Sequence, residues 1–276
     1  MEKKSLGQKI INAPYILWAA LFIVVPLIVV AWYSFTGEDG SLTIDNFTAI
    51  LDAKYQKVFL NSLAFAFVAT VICLVLAYPI AYFISRATAK VQKLMVVFIM
   101  LPMWTNILIR TYSWLALLED AGIVNTVLAN LGIEPIKFIG TPGAVILGMV
   151  YNFLPFMILP IYSVMSKMDR RVIEAAQDLG CDGFQVLTKV IIPLSVPGIV
   201  SGITMVFVPA ISTFYISQKL GGGKITLVGD TIEQQFKYID NGYHVGAAFS
   251  LLFMLLILGC TAIMNKFTDG EDGILM

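Results

Sequence analysis

Charged and chemically reactive side chains are scarce in this sequence. Charged residues make up 13% of the chain, against about 25% in typical soluble domains. There is one histidine, His244, and the three cysteines, Cys73, Cys181 and Cys260, show no CxxC or other ligand spacing. Dispersed residues of this kind predict neither a metal site nor a disulfide framework. The absence of a cluster of ionisable groups also disfavours a membrane-embedded enzyme.

Long apolar runs are what the sequence has in abundance. Hydrophobic residues account for 58% of the chain and the mean hydropathy is +0.85. A helix needs about 20 apolar residues to cross a lipid core roughly 30 Å thick. Six runs of this length are present, at approximately 15–33, 60–84, 94–118, 142–165, 194–216 and 244–264. Because no linker or low-complexity tract divides the chain, we expect one all-α membrane domain over 1–276 with six transmembrane helices.

The distribution of basic residues predicts how these helices are oriented. Lys3, Lys4 and Lys9 precede the first run, but that run exceeds a signal-peptide core and no A-x-A-like cleavage site follows it, so we expect a retained helix. With the N-terminus inside, eleven of the 18 Lys and Arg residues fall in inner segments and six in outer segments. The positive-inside rule therefore places both termini and the loop at 166–190 in the cytoplasm.

The loop at 166–190 is the longest polar interruption on the inner side. Its pattern predicts a first helix from Arg171 to Leu179 with Gly180 as C-terminal cap, and a second helix over 184–190 with Asp182 as N-cap. The first helix has an apolar face formed by Val172, Ala175, Ala176 and Leu179. A helix this short is not stable alone. We therefore expect it to dock on a partner, with Arg171, Glu174 and Asp178 pairing with charges at the rim.

The same loop carries a recognisable motif. Glu174-Ala175-Ala176 is followed four residues later by Gly180, and then by the runs IIPL and PG, all between the fourth and fifth apolar runs. This arrangement resembles the EAA loop of the permease subunits of type I ABC importers (the MetI-like family). The resemblance implies that the loop couples the membrane helices to a cytoplasmic ATPase. The residues expected to take part are Arg171, Glu174, Ala175, Ala176, Asp178 and Gly180.

Three further runs resemble one subfamily, the spermidine/putrescine permeases. They are LPMWTNILIRTYSW at 101–114, VYNFLPFMILPIYS at 150–163 and IIPLSVPGIVSG at 191–202. The resemblance implies a multi-pass protein of the bacterial cytoplasmic membrane that catalyses no reaction and holds no cofactor, since ATP and Mg are bound by the ATPase. It also implies a homologous second permease, a dimer of ATP-binding subunits and an extracytoplasmic polyamine-binding protein. An opine, a thiamine-like cation, ferric iron or an amino acid remains an alternative cargo.

Polyamine ammonium groups bind carboxylates and aromatic faces, which selects candidates for the translocation pathway. The residues we expect to line it are Trp104, Asn106, Arg110, Tyr112, Trp114, Glu119, Asp120, Tyr151, Asn152, Thr213, Phe214 and Tyr215. In a straight third span, Arg110 lies roughly 6 Å outward of the centre at about 1.5 Å per residue. An intramembrane charge indicates a function. We expect Arg110 to pair with a carboxylate of the partner permease, or with Glu119 or Asp120; the alternative is a gate that repels the cation.

Overall fold

The computed structural model describes residues 14–239 and 242–272, and these are predominantly helical. Apart from one antiparallel bridge between Thr36 and Leu42, the described ranges contain no β-structure. The helices are α1 Pro14–Ser34, α2 Asp45–Ile50, α3 Ala53–Arg86, α4 Ala89–Trp104, α5 Ile107–Leu118, α6 Ile123–Asn130, α7 Pro142–Ser166, α8 Arg170–Asp178, α9 Gly183–Ser212, α10 Tyr215–Leu220, α11 Val228–Tyr238 and α12 Tyr243–Asp272. Lys3, Lys4 and Lys9 lie outside the described residues.

Among the described residues, five helices are long and apolar enough to span a membrane. They are α1, α3, α7, α9 and the part of α12 from Tyr243 to Met264, and they correspond to five of the six predicted runs. The third predicted run is divided between α4 and the helical segment Ile107–Asn130, which meet at an angle of 89°. Six spans result if this bent pair counts as one.

The third predicted span over 94–118 is therefore not one continuous helix but is bent between α4 and α5. Thr105 and Asn106 have extended backbones, with ψ angles of 148° and 133°. The Asn106 side chain accepts a hydrogen bond of 2.8 Å from the Leu108 N–H, which starts a new helix as an N-cap does. The estimate of Arg110 at roughly 6 Å from a span centre assumed a straight helix, so the bend removes its basis.

The fifth span also differs from the prediction at both ends. Its helix α9 begins at Gly183 in the polar loop and passes through a π-helical turn at Leu187–Ile191, so the second loop helix is continuous with the span. It ends at Ser212 because Thr213 is extended, with ψ 141°. Ile216, predicted as the end of the span, lies in the separate helix α10.

The described residues divide into two compact units. One comprises the chain up to Gln56 together with Thr231–Leu256, and the other comprises Lys57–Asp230 with the segment from Ile257 onward. In the first unit, Tyr55 accepts a 2.9 Å hydrogen bond from Gln235, and His244 Nδ1 lies 3.1 Å from the Tyr33 carbonyl oxygen. His244 is thus a packing residue. The expectation of a single membrane domain stays a prediction.

In the second unit, α7 and α9 form the most extensive helix pair. A Cβ atom added to Gly198 would lie 2.9 Å from the Pro160 carbonyl oxygen, and one added to Gly202 would lie 2.7 Å from the Met157 sulfur. Small residues at a four-residue step allow helix backbones to approach this closely. The loop that contains α8 connects these two closely packed helices.

Candidate coupling loop and translocation residues

The helix α8, which carries the EAA motif, has a defined start. Asp169 Oδ1 accepts a 3.0 Å hydrogen bond from the Arg171 N–H and caps the helix at Arg170, one residue before the predicted start. An aspartate at this position satisfies a backbone donor that the helix leaves free. Sequence reasoning missed this cap, although Asp followed by a helical pattern is its usual signal.

The end of α8 is closed by a Schellman motif. Gly180 has φ +85°, its N–H donates to the Gln177 carbonyl at 2.9 Å, and the Cys181 N–H donates to the Ala176 carbonyl at 3.0 Å. These two bonds define the motif, in which a residue with left-handed backbone follows the helix. The predicted C-terminal cap at Gly180 is confirmed.

The start of α9 is fixed by a capping box. The Asp182 carboxylate accepts a 2.7 Å hydrogen bond from the Gln185 N–H, and the Gln185 side chain accepts a 3.3 Å bond from the Asp182 N–H. The predicted N-cap at Asp182 is confirmed. Only two residues, Cys181 and Asp182, thus separate the Schellman glycine from the next helix, and both helix ends facing this turn are capped.

The apolar face predicted for α8 is largely exposed. Leu179 is 86% exposed and Val172 is 45% exposed, while Phe184 at the start of α9 is 74% exposed. Ala176 is half-buried, and its helical neighbour Ile173 is half-buried as well. Exposed leucine and phenylalanine side chains beside a capped turn are typical of a protein contact surface. Sequence reasoning did not identify Phe184.

The charged residues of the motif lie on the open surface. Arg171, Glu174, Ala175, Asp178 and Gly180 are all exposed. Among the described residues, none of the three charged side chains in this group forms an ion pair. Their predicted pairing with a partner, and the coupling role of the whole motif, stay predictions.

The candidate pathway residues of α5 contact those of α10 through their aromatic rings. The rings of Tyr112 and Tyr215 meet edge to face with centroids 6.0 Å apart. The Lys219 ammonium lies 5.3 Å from the Tyr112 centroid and 5.7 Å from the Tyr215 centroid. Lys219 was not a predicted site residue, although its position four residues after Tyr215 would have placed the two on one helix face.

A second aromatic contact joins α5 to α7. Trp114 and Tyr151 meet edge to face with centroids 5.4 Å apart. One helical turn before Trp114, the guanidinium of Arg110 has two buried nitrogens, Nε and Nη1, without a hydrogen-bond partner. Within the described ranges no ion pair joins Arg110 to Glu119 or Asp120, so the pairing expected inside this chain is not formed.

Glu119 and Asp120 instead line a cleft of about 410 Å³. Its other lining residues are Ala121, Lys137, Ile139, Gly140, Gly222 and Lys224. Lys137 lies beyond α6 and Lys224 beyond α10, so sequence reasoning had no signal that they meet the carboxylates. The cleft is therefore of mixed charge rather than purely acidic.

The remaining candidates are not brought together with these clusters. Trp104 is the last residue of α4 and is 73% exposed, and Asn106 is the N-cap of α5. Asn152 is 1% exposed within α7 and donates a 2.8 Å hydrogen bond to the Gly148 carbonyl. Thr213 and Phe214 form the break between α9 and α10. Their expected roles in the translocation pathway stay predictions.

Comparison with known sequences identifies the class of protein to which the apolar helices and the capped EAA loop belong. Residues 77–269 match the family described as "Binding-protein-dependent transport system inner membrane component". The chain belongs to this family, and it is accordingly a multi-pass inner-membrane permease subunit of an ABC importer and not an enzyme. The expectation of a type I importer permease fold is confirmed.

Named relatives match nearly the whole chain. The spermidine/putrescine transport system permease protein PotB of Haemophilus influenzae is 41% identical over 258 residues, covering 91% of this chain and 90% of the relative. The protein of the same name from Escherichia coli is 40% identical over 269 residues, covering 92% and 98%. The predicted resemblance to this subfamily is confirmed.

Solved structures match the fold. A chain of a bacterial ABC transporter involved in the import of the acidic polysaccharide alginate superposes with a TM-score of 0.78 at 17% identity, covering 93% of this chain and 92% of that one. A chain of the MetNI methionine transporter in an inward-facing conformation gives a TM-score of 0.58 at 18% identity, covering 78% and 94%. At such identities the likeness shows the fold alone.

Proposed function

We propose that this chain is a membrane-spanning permease subunit of an ATP-driven polyamine importer. The observation that carries the proposal is the identity of about 40% with spermidine/putrescine permeases over more than nine tenths of the chain. In this proposal the chain forms half of the translocation pathway, and a homologous second permease forms the other half. An extracytoplasmic binding protein delivers the polyamine.

The loop that contains α8 transmits the motion of the ATPase. ATP and Mg are held by a dimer of cytoplasmic ATP-binding subunits, and this chain needs no cofactor of its own. Three exposed side chains provide the apolar contact with the ATPase: Leu179, Phe184 and Val172. Around this contact, charged side chains pair with charges of the ATPase, and they are Arg171, Glu174 and Asp178. Both helix ends at the turn are capped by hydrogen bonds, which keeps them from unwinding. A displacement of α8 is therefore transmitted to α9.

Arg110 contributes to the interface between the two permease subunits. Its Nε and Nη1 atoms are buried and lack partners within this chain. A buried guanidinium without hydrogen bonds is costly, which favours a shift of the Arg110 side chain to a position where a carboxylate of the second permease accepts two parallel bonds from it. A carboxylate of the second permease is the partner we propose for Arg110, in preference to a repulsive gate.

Uptake of radiolabelled spermidine into proteoliposomes tests the proposal. The vesicles contain this chain, the second permease and the ATPase, with the binding protein outside and ATP inside. We expect uptake that requires both ATP and the binding protein, and that excess putrescine inhibits. Uptake of an amino acid, an opine, a thiamine-like cation or ferric iron in place of spermidine would contradict the polyamine assignment while leaving the permease assignment in place.

A further inference from the structure

An ammonium group already occupies an aromatic site in this chain. The Lys219 ammonium lies within about 6 Å of two ring centroids, the range in which a cation is attracted to an aromatic face. No carboxylate of the described residues pairs with it. The electron-rich faces of two neutral tyrosine rings are therefore what attracts this ammonium.

The chemistry of the occupant matches the chemistry of the proposed cargo. A lysine side chain consists of four methylene groups that end in a primary ammonium. Putrescine, and one end of spermidine, carry the same aminobutyl group. A site that attracts the Lys219 ammonium therefore has the electrostatics to attract the terminal ammonium of a polyamine.

We propose that Tyr112 and Tyr215 form a binding site for one ammonium group of a polyamine, and that the Lys219 side chain fills this site when no polyamine is bound. The inference rests on the proposed function and adds to it a specific subsite and a competitor within the chain. The site is accessible, since Tyr112 is 48% exposed. It also lies where α10 follows the break after α9, at the end of a span.

The competitor has a physical consequence for transport. A ligand binds with an apparent affinity reduced by the fraction of time that its site is available. Lys219 therefore weakens the retention of polyamine at this point of the pathway. Lys219 also fills the aromatic site between transport cycles. When a polyamine departs, the Lys219 ammonium replaces the polyamine ammonium at the two rings.

Equilibrium binding of labelled spermidine to the complete permease and ATPase complex in nanodiscs tests the inference. Lys219→Met removes the charge and keeps a long apolar side chain. We expect the apparent Kd for spermidine to fall by about threefold or more, as expected when a competing cation–π contact is removed. Lys219→Arg keeps a cation at the rings and is expected to bind as the wild type does. Lys219→Gln is a second neutral variant if the methionine variant does not assemble.

Lys54→Met is the matched control. Lys54 also lies over a tyrosine, 5.7 Å from the Tyr55 centroid, but that ring follows it directly in sequence and is not part of the proposed site. Its removal is expected to leave the Kd unchanged. Tyr112→Leu is expected to weaken binding and to abolish the gain from Lys219→Met in the double variant, because the two changes act on one site.

Three results would overturn the inference. They are unchanged or weaker binding in both neutral Lys219 variants, an equal gain in Lys54→Met, and a gain that persists in the Tyr112→Leu background. In each case ATP-driven spermidine uptake by the wild-type complex would leave the proposed function standing. A wild-type complex that neither binds nor transports spermidine would contradict the proposed function itself.

Discussion

Replacement of Gly180 by alanine should uncouple ATP hydrolysis from transport. Gly180 has φ +85° and completes the Schellman motif that ends α8. A Cβ atom added there has no other atom within 4 Å. The substitution consequently causes no steric clash with the rest of the chain, and its effect comes from the backbone alone.

The expected magnitude follows from that backbone conformation. A residue with a Cβ atom pays about 1–2 kcal/mol to adopt the left-handed region. Since 1.4 kcal/mol corresponds to a factor of ten in an equilibrium constant, the capped state of α8 should lose roughly 5- to 30-fold in population relative to the frayed state. The helix is only nine residues long and is marginal without tertiary contacts, so a change of this size should reduce the force it transmits.

Gly183→Ala is the matched control for this prediction. Gly183 lies three residues away, has an ordinary backbone angle and also has nothing within 4 Å of an added Cβ atom. Gly180→Asn is a rescue variant, because asparagine tolerates the left-handed region better than alanine does. Spermidine uptake and phosphate release should be measured together in the same proteoliposomes.

The ratio of transported spermidine to hydrolysed ATP should fall several-fold in Gly180→Ala, fall less in Gly180→Asn and remain at the wild-type value in Gly183→Ala. A Gly180→Ala ratio equal to that of Gly183→Ala would refute the reasoning. So would an asparagine variant as impaired as the alanine variant, since the cause would then not be the backbone conformation.

Three other substitutions are expected to have measurable effects. Gly202→Leu places side-chain atoms against Met157 and should destabilise the complex by about 1–3 kcal/mol. Its Tm should be lower than that of the control Gly259→Leu, because nothing lies within 4 Å of a Cβ atom added at Gly259. Equal Tm values would contradict the close packing. Asp182→Ala removes the capping box at a cost of about 1 kcal/mol, so amide exchange over 183–190 should accelerate, and unchanged exchange would contradict the role of the cap. Arg110→Met and Arg110→Lys should both lower co-purification of the second permease, because a lysine cannot replace two parallel guanidinium bonds; wild-type recovery of the pair in both variants would contradict an intersubunit carboxylate.

The spans were predictable wherever hydrophobicity decides the structure. Five apolar runs correspond to long helices, since a lipid-embedded backbone must satisfy its own hydrogen bonds, although the helix of the fifth run ends at Ser212 before the run does. The bend within the third run was not located because hydropathy averages over a window and does not register a local cap. Asn106, whose side chain accepts a hydrogen bond from the Leu108 N–H, starts a new helix at an angle of 89°. An Asn inside an apolar run, four residues after Pro102, was the available signal.

The helix caps of the coupling loop were predictable from the sequence, but the exposure of its apolar side chains was not. Gly180 and Asp182 form caps in the structure because the residue types for these positions are few. The nearly complete exposure of Leu179 and the position of Phe184 depend on how α8 lies against α9, which sequence spacing does not determine. Tyr112 and Tyr215 are far apart in the chain, so their contact, and the place of Lys219 above it, depended on the packing of α5 with α10.

Photocrosslinking from position 179 tests most directly the claim that the α8 turn is the surface on which the ATPase docks. A photoreactive residue replaces Leu179, which is 86% exposed, and a control complex carries the same residue at Leu131, which is 69% exposed in the turn after α6. We expect a crosslink to the ATP-binding subunit from position 179 and none from position 131. Absence of the product at position 179, or an equal yield at position 131, would contradict the account.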